Sequence, residues 1–479
     1  MRTLFTNGTL VTEQAQEKVD LLIDGEKVIQ TGRQLPLDGS EKIVDASGLL
    51  ILPGGVDAHV HLDLPMFGTV SSDDHYTGTK AAAFGGTTTV IDFVSQDSDD
   101  LVKNVRLLRA KAESKAVVDF AFHANITHLT DEVAASIPKL VAEGITSIKV
   151  FTAYNGRLRL EDGDIFRVMR IAQNHGILTM LHAENGDVID ILVSEALKRG
   201  DLSPIWHART RPAWGATESV ARASALSAMA GHAPLYIVHM NAAGEVDQLA
   251  YAQDHHLPVI GETCPHYLFF SEQDLAKPDG AKWICSPPMR TKEDQDGLWR
   301  GLEQGIISVI ATDHCPFFFD GTKPILYEGK EVTIPGKELG KGDFTRIPNG
   351  LPGVGDRMPV MFSSLVTSGK MNVSKFVALT CSNPAKIFGL YPQKGTLMPG
   401  SDADLVLWDP VLEVDYGVKN AHHRTDYNLY EGWKLRGFPV QVYSRGELIV
   451  DRGSWLGKAG RGKYLPRKPF QEEILTRES

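Results

Sequence analysis

Leu52-Pro53-Gly54-Gly55-Val56-Asp57-Ala58-His59-Val60-His61 is the stretch on which the reading of the fold turns. The apolar run 49–52 delivers two histidines one residue apart, and on an extended backbone such residues point to the same side. Two imidazoles on one face can hold one metal ion. Alone the pair is a weak signal, because the same spacing occurs in ordinary strands. Residues farther along the chain give it weight: Lys149, His182, His239 and Asp313 each stand in or just beyond an apolar segment.

Working outward, apolar β-branched runs recur at 49–56, 87–94, 118–126, 147–152, 177–181, 234–238, 258–262 and 306–311, and segments with helical spacing separate most of them, at 101–116, 131–143, 165–174, 217–231 and 244–254. Continuous apolar strands alternating with helices mean a parallel sheet covered on its outer face, and eight such units can close into a (β/α)8 TIM barrel. The open doubly wound sheet competes, but no Gly-rich dinucleotide fingerprint comes after the first strand. Short strands broken by turns occupy both ends, at 9–11, 20–23, 27–31 and 42–45, and again at 394–397, 403–408, 440–444 and 447–451, with Asp24-Gly25 and Asp38-Gly39 as turn signals. The expected organisation is α/β: a small β-sandwich built from residues 1–52 and 392–479, the latter with a tail, around a barrel of residues 53–391.

A chain of 479 residues exceeds the usual single core, in keeping with a large and a small domain. The net charge of -11 argues against nucleic acid as a partner, since a phosphate backbone demands a basic surface. Cys264, Cys285, Cys315 and Cys381 are too scattered for a disulfide framework or a Cys-x-x-Cys zinc site. No signal-peptide core or membrane-length apolar run is present, so a cytoplasmic protein is expected.

Chemistry on a barrel sits at the carboxyl ends of its strands, and His59, His61, Lys149, His182, His239 and Asp313 would all converge there. Four histidines and one aspartate suit zinc and tolerate cobalt or manganese. Lys149, in Ser147-Ile148-Lys149-Val150-Phe151, has two readings. A neutral amine could take up carbon dioxide as a carbamate whose oxygens bridge two cations, or the lysine could pair with a buried carboxylate. Asp313, in Thr312-Asp313-His314-Cys315-Pro316, could ligate and accept a proton from water, or cap a helix. Tyr154 could donate to an oxyanion or simply pack. The loops at Ser286-Pro287-Pro288 and Ile347-Pro348-Asn349-Gly350 could present main-chain groups to a planar amide, or be turns only. His75, His123, His128, His255 and His256 read as structural, His266 as a group behind the ligands, and Cys315 as a pocket wall with no base assigned to it.

Taken together with Asn7-Gly8-Thr9, Gly85-Gly86-Thr87-Thr88-Thr89, His182-Ala183-Glu184-Asn185, Gly261-Glu262-Thr263-Cys264-Pro265 and Asp343-Phe344-Thr345-Arg346, these motifs give a chain that resembles the cyclic amidohydrolases, specifically the D-hydantoinases and dihydropyrimidinases, over nearly its whole length. The resemblance implies a binuclear zinc site bridged by carboxylated Lys149, with His59, His61 and Asp313 on one metal and His182 and His239 on the other. It implies attack by metal-activated water on a ring carbonyl, Tyr154 stabilising the oxyanion, Asp313 carrying the proton to the leaving ring nitrogen, and main-chain groups of Ser286 and Asn349 holding the ureide. The product would be an N-carbamoyl amino acid. A homotetramer is the family habit, with residues 463–479 as a tail that could reach a neighbour. Dihydroorotases and many allantoinases usually place an arginine two residues after the paired histidines; here that position is Asp63, followed by Leu64, Met66 and Phe67, which favours an uncharged or hydrophobic ring substituent. The segment 317–340 is longer than its counterparts and would reshape access or pack on a neighbour. The rival readings are an allantoinase and a non-enzymatic scaffold similar to the collapsin response mediator proteins, which lack the metal ligands.

Overall fold

The computed structural model of the chain describes residues 2–35, 39–66, 68–327 and 329–471. Its centre is an eight-stranded parallel sheet: Gly55–Val60, Thr87–Val94, Asp119–Asn125, Ser147–Phe151, Leu178–His182, Leu235–Met240, Val259–Thr263 and Val309–Ile310, each paired with the next in chain order. The ring closes where Val60 pairs with His314 and the His61 N–H donates to the His314 carbonyl at 2.7 Å. The barrel read from the alternation of strands and helices is therefore present.

The first barrel strand lies later than the apolar run implies. Leu50–Pro53 belongs to another sheet, and Gly55–Val60 alone enters the barrel. The break falls at Gly54 and Gly55, where the chain passes so close to its neighbours that an added Cβ would lie 2.1 Å from Thr88 Oγ1 at the first and 2.3 Å from Met358 Sδ at the second. His59 is consequently inside the strand rather than beyond it, and His239 likewise lies within Leu235–Met240. The helical segment at 131–143 divides into a helix, Asp131–Ser136, and a 3-10 turn, Ile137–Glu143, at Pro138, which has no N–H to continue the ladder.

Strands from both ends of the chain build a sandwich. A four-stranded sheet holds Arg2–Thr6, Asp20–Asp24, Lys27–Gly32 and Lys42–Asp45, and a seven-stranded sheet joins Thr9–Val11, Gln16–Glu17 and Leu50–Pro53 to Leu405–Tyr416, Trp433–Ser444, Glu447–Asp451 and Ser454–Trp455. Phe5, Leu21, Ile23, Ile51, Leu405, Leu407 and Tyr443 form the layer between them. No strand forms at 394–397. Lys394 is instead a buried tie between the two parts, its Nζ 2.6 Å from Asp119 of the barrel and 2.8 Å from Asp404 of the sandwich.

Inward-facing Val56, Ala58, Ile91, Ala121, Met180, Tyr236 and Ile260 fill the barrel, and Phe388, Leu390 and Leu465 close its amino-terminal end. Residues 463–470 run across that floor, with hydrogen bonds from Leu465 N to Phe120 O, Arg467 N to Gly144 O and Phe470 N to Gly176 O. The stretch read as a reaching tail thus packs on its own barrel as far as 470, while 472–479 lie outside the described residues. The long segment 317–340 forms a small hairpin, Ile325–Tyr327 with Lys330–Val332, and also packs on its own chain: Tyr327 OH donates to Asp74 at 2.7 Å and accepts from Lys115 at 2.8 Å. With one end sealed, the barrel opens only where its strands finish.

Candidate metal centre and active site

All six residues read as ligands meet at that open end. His59 Nε2 lies 3.1 Å from Asp313 Oδ1 and 3.0 Å from Lys149 Nζ, and His61 Nε2 is 3.2 Å from the same Asp313 oxygen. The ligating atoms of His59, His61 and Asp313 all fall within 4.8 Å of one another. Beside them His182 Nδ1 and His239 Nε2 face each other at 3.0 Å, and the His59 and His239 ring centres are 5.5 Å apart, so the two groups adjoin. His59, Lys149, His182 and His239 are buried; His61, Asp313, Tyr154, Ser286 and Asn349 keep partial access to solvent and rim the opening.

The backbone is bent to achieve this. Tyr154, His239 and Asp313 have φ of 69°, 41° and 51°, a left-handed conformation that costs a side-chain-bearing residue roughly 1–2 kcal/mol. Such positions cluster where a side chain must be turned off the strand direction into a site.

Electrostatics then sets the protonation states. Burial lowers the pKa of Lys149, and among the described residues no carboxylate stands within ion-pair distance of its Nζ. The buried acids Asp313 and Glu262 act on it in the opposite sense, without outweighing burial. Burial opposes ionisation of Asp313, but His59, His61 and His239 outweigh it and hold the carboxyl well below its ordinary range. Burial pushes His61 down, and burial with His182 pushes His239 well down, leaving neutral imidazoles with lone pairs to share. Desolvation and then Glu184 push the Tyr154 phenol above its ordinary range, so it remains a proton donor. Asn349 Nδ2 donates to Ser286 Oγ at 3.0 Å, and Ser286 acts electrostatically on the neighbouring Tyr154 hydroxyl, so the three sit side by side.

Two carboxylates escaped the sequence reading of ligands. Glu262 Oε1 lies 2.5 Å from His59 Nδ1 and accepts the His239 N–H at 3.1 Å, while Oε2 accepts the Tyr236 hydroxyl at 2.7 Å. Accepting a hydrogen bond from Nδ1–H, Glu262 directs the His59 Nε2 lone pair towards the centre. Glu184 Oε2 does the same for His182 Nε2 at 2.9 Å. Glu262 closes an apolar strand as the ligands do, and that placement was the available signal. Cys315 is buried and its thiol is pushed above the ordinary range by burial, consistent with a pocket wall.

Asp63 turns away into a cluster with Lys111 at 3.2 Å and His75 at 3.5 Å, and His75 Nε2 is 3.1 Å from Asp92. Leu62 is buried and Leu64 and Met66 are partly buried; Phe67 lies outside the described residues. Burial opposes the charge on His75, but Asp63 and Asp92 raise its pKa from 6.5 to about 9. A raised folded-state pKa gives stability that is complete below pH 6.5 and lost as pH rises through about 9. Denaturant unfolding should therefore show stability falling across that window, by about 3 kcal/mol, and His75→Gln should flatten the slope.

The description Amidohydrolase family fits residues 50–449. The chain is 43% identical to the D-hydantoinase of Geobacillus stearothermophilus over 474 residues, 98% of this chain and 97% of that one. It is 40% identical to a D-phenylhydantoinase of Escherichia coli over 477 residues, 99% of this chain and 100% of that one. The crystal structure of a dihydropyrimidinase from Brevibacillus agri superposes with a TM-score of 0.94 at 43% identity, covering 98% of this chain and 100% of that one. A barrel whose strand ends gather these imidazoles and carboxylates, together with likeness along its whole length, places the chain in the amidohydrolase family, on its D-hydantoinase and dihydropyrimidinase branch.

Proposed function

We propose that the protein hydrolyses the cyclic amide bond of hydantoins or 5,6-dihydropyrimidines to N-carbamoyl amino acids. The observation that carries this reading is the convergence of His59, His61, Lys149, His182, His239 and Asp313 on one mouth rimmed by Tyr154, Ser286 and Asn349. The donor set fits two divalent cations, zinc by preference with manganese or cobalt as substitutes: four imidazoles, of which burial pushes His61 and His239 below the ordinary range, one ionised carboxylate, and a buried lysine that a carbamate would convert into an anionic donor. Such cations, when bound, lower the pKa of water and polarise a carbonyl. Main-chain groups at Ser286 and Asn349 orient the planar ureide, and Tyr154 donates its hydroxyl to the carbonyl oxygen as negative charge develops there. Asp313 accepts the proton of the attacking water and passes it to the ring nitrogen as the carbon–nitrogen bond breaks. Water is consumed, one bond opens, and no other reactant is needed.

No cation stands at position 63 to receive a substrate carboxylate, and the partly buried Leu64 and Met66 follow it, which supports an uncharged or apolar ring substituent. We extend the reading to a homotetramer, supported by exposed apolar Ile191, Trp214 and Met229, and to the cytoplasm, supported by four buried free cysteines. Among the described residues no helix is long and apolar enough to cross a membrane. The test is a panel of hydantoin, 5-substituted hydantoins, dihydrouracil and allantoin, run beside metal analysis. Ring opening of hydantoins or dihydrouracil by metal-containing protein is expected. A rate on allantoin far above the others would make the protein an allantoinase, and metal-free inactive protein would favour the scaffold.

A further inference from the structure

Lys337 is a buried lysine that the reaction does not use. It lies in segment 317–340 at 2% exposure, and its Nζ donates to the carbonyls of Ile284 at 2.9 Å and Pro348 at 3.0 Å. Among the described residues it has no ion-pair partner, and burial pulls its pKa from 10.5 to about 7. Burying an amine without a counter-charge is costly, and methionine would fill similar space without that penalty. The donor is therefore spent on the two carbonyls. One belongs to the segment leading into Ser286, the other to the residue before Asn349. Asn349 Nδ2 already donates to Ser286 Oγ at 3.0 Å, and Gly350 N donates to the same Ile284 carbonyl at 3.0 Å, so Nζ is a third link between two loops. Lys337 is itself fixed: its N–H donates to Phe318 O at 2.7 Å, and nearby Pro335 O accepts from Thr69 Oγ1 at 2.5 Å. Thr69 belongs to the hairpin Pro65–Met66 with Thr69–Val70 at the mouth.

We propose that Lys337 is the positioning residue of the substrate cradle, its Nζ setting the spacing between the main chains at Ser286 and Asn349 and hence the affinity for the ring. The inference rests on the reading of those two residues as the groups that hold the ureide. The clamp acts on binding and leaves the chemical step to Tyr154, Asp313 and the metals.

Lys337→Met and Lys337→Arg in the metal-loaded enzyme test this, assayed on the ring that wild type opens fastest and by hydrogen exchange at the Gly350 amide. For K337M, KM should rise roughly tenfold with kcat within about twofold, metal content unchanged, and Gly350 exchanging faster. K337R retains N–H donors and should restore both KM and Gly350 protection towards wild type. Unchanged KM and Gly350 protection in K337M would overturn the proposal, as would metal and kcat falling with KM in place, or K337R behaving no better than K337M. If K337M does not fold, K337R with lost Gly350 protection overturns it and retained protection supports it. Inactive wild type would instead defeat the functional reading, and the Gly350 amide would still decide whether the clamp exists.

Discussion

Lys149→Ala is expected to lose bound metal and ring-opening activity together, the rate falling by at least about a thousandfold. Asp313 is the one carboxylate among the six candidate ligands, and imidazoles that ligate in their neutral form cannot offset the charge of two divalent cations. A carbamate on Lys149 supplies a second anionic donor, whereas alanine supplies none. Its Nζ already stands 3.0 Å from His59 Nε2 and 4.4 Å from the centre of the Phe93 ring, in a slot that shields it from solvent. Elemental analysis after dialysis, paired with the hydantoin assay, reads both losses. Adding acetate or propionate to the alanine variant should restore part of each, because a small carboxylate can occupy the vacated slot. Full metal content with full activity in Lys149→Ala would refute the assigned role.

Tyr154→Phe should behave differently, lowering kcat/KM by a factor corresponding to about 3 to 4 kcal/mol while leaving metal content intact. The hydroxyl is the only atom removed, and the ring, whose centre is 5.0 Å from that of His182, can keep its packing. Because the phenol's pKa is raised by desolvation and Glu184, it remains protonated through neutral pH and can donate as charge grows on the carbonyl oxygen. Metal loss in this variant would show that Tyr154 supports the ligands rather than the oxyanion.

Much of the fold and site was legible because the barrel writes its strands as largely apolar runs and gathers its chemistry at their carboxyl ends. His59, Lys149, His182 and His239 stood out by breaking such runs. Periodicity could not show that Leu50–Pro53 and Gly55–Val60 serve different sheets, since both are apolar and extended; only the close approach at Gly54 and Gly55 separates them. Glu262 and Glu184 were harder for a related reason. Their role lies in a hydrogen bond to a distant imidazole, and nothing local in the chain records which partner a buried acid will meet. Lys394 was misread because an alternating stretch with glycine resembles a strand, whereas three surrounding carboxylates dictate its place. The helix and strand bounds drifted by a few residues for the usual reason, that caps and close contacts decide ends.

The sandwich built from both ends of the chain has a consequence for synthesis. Leu50–Pro53 takes its antiparallel partner from residues 405–408, so an emerging polypeptide exposes an apolar edge strand until nearly everything else has left the ribosome. At elongation rates of about 5–20 residues per second, that edge waits on the order of tens of seconds. Nascent chains stalled before residue 405 should accordingly bind holdase chaperones, and release should come once the late strands can add to it.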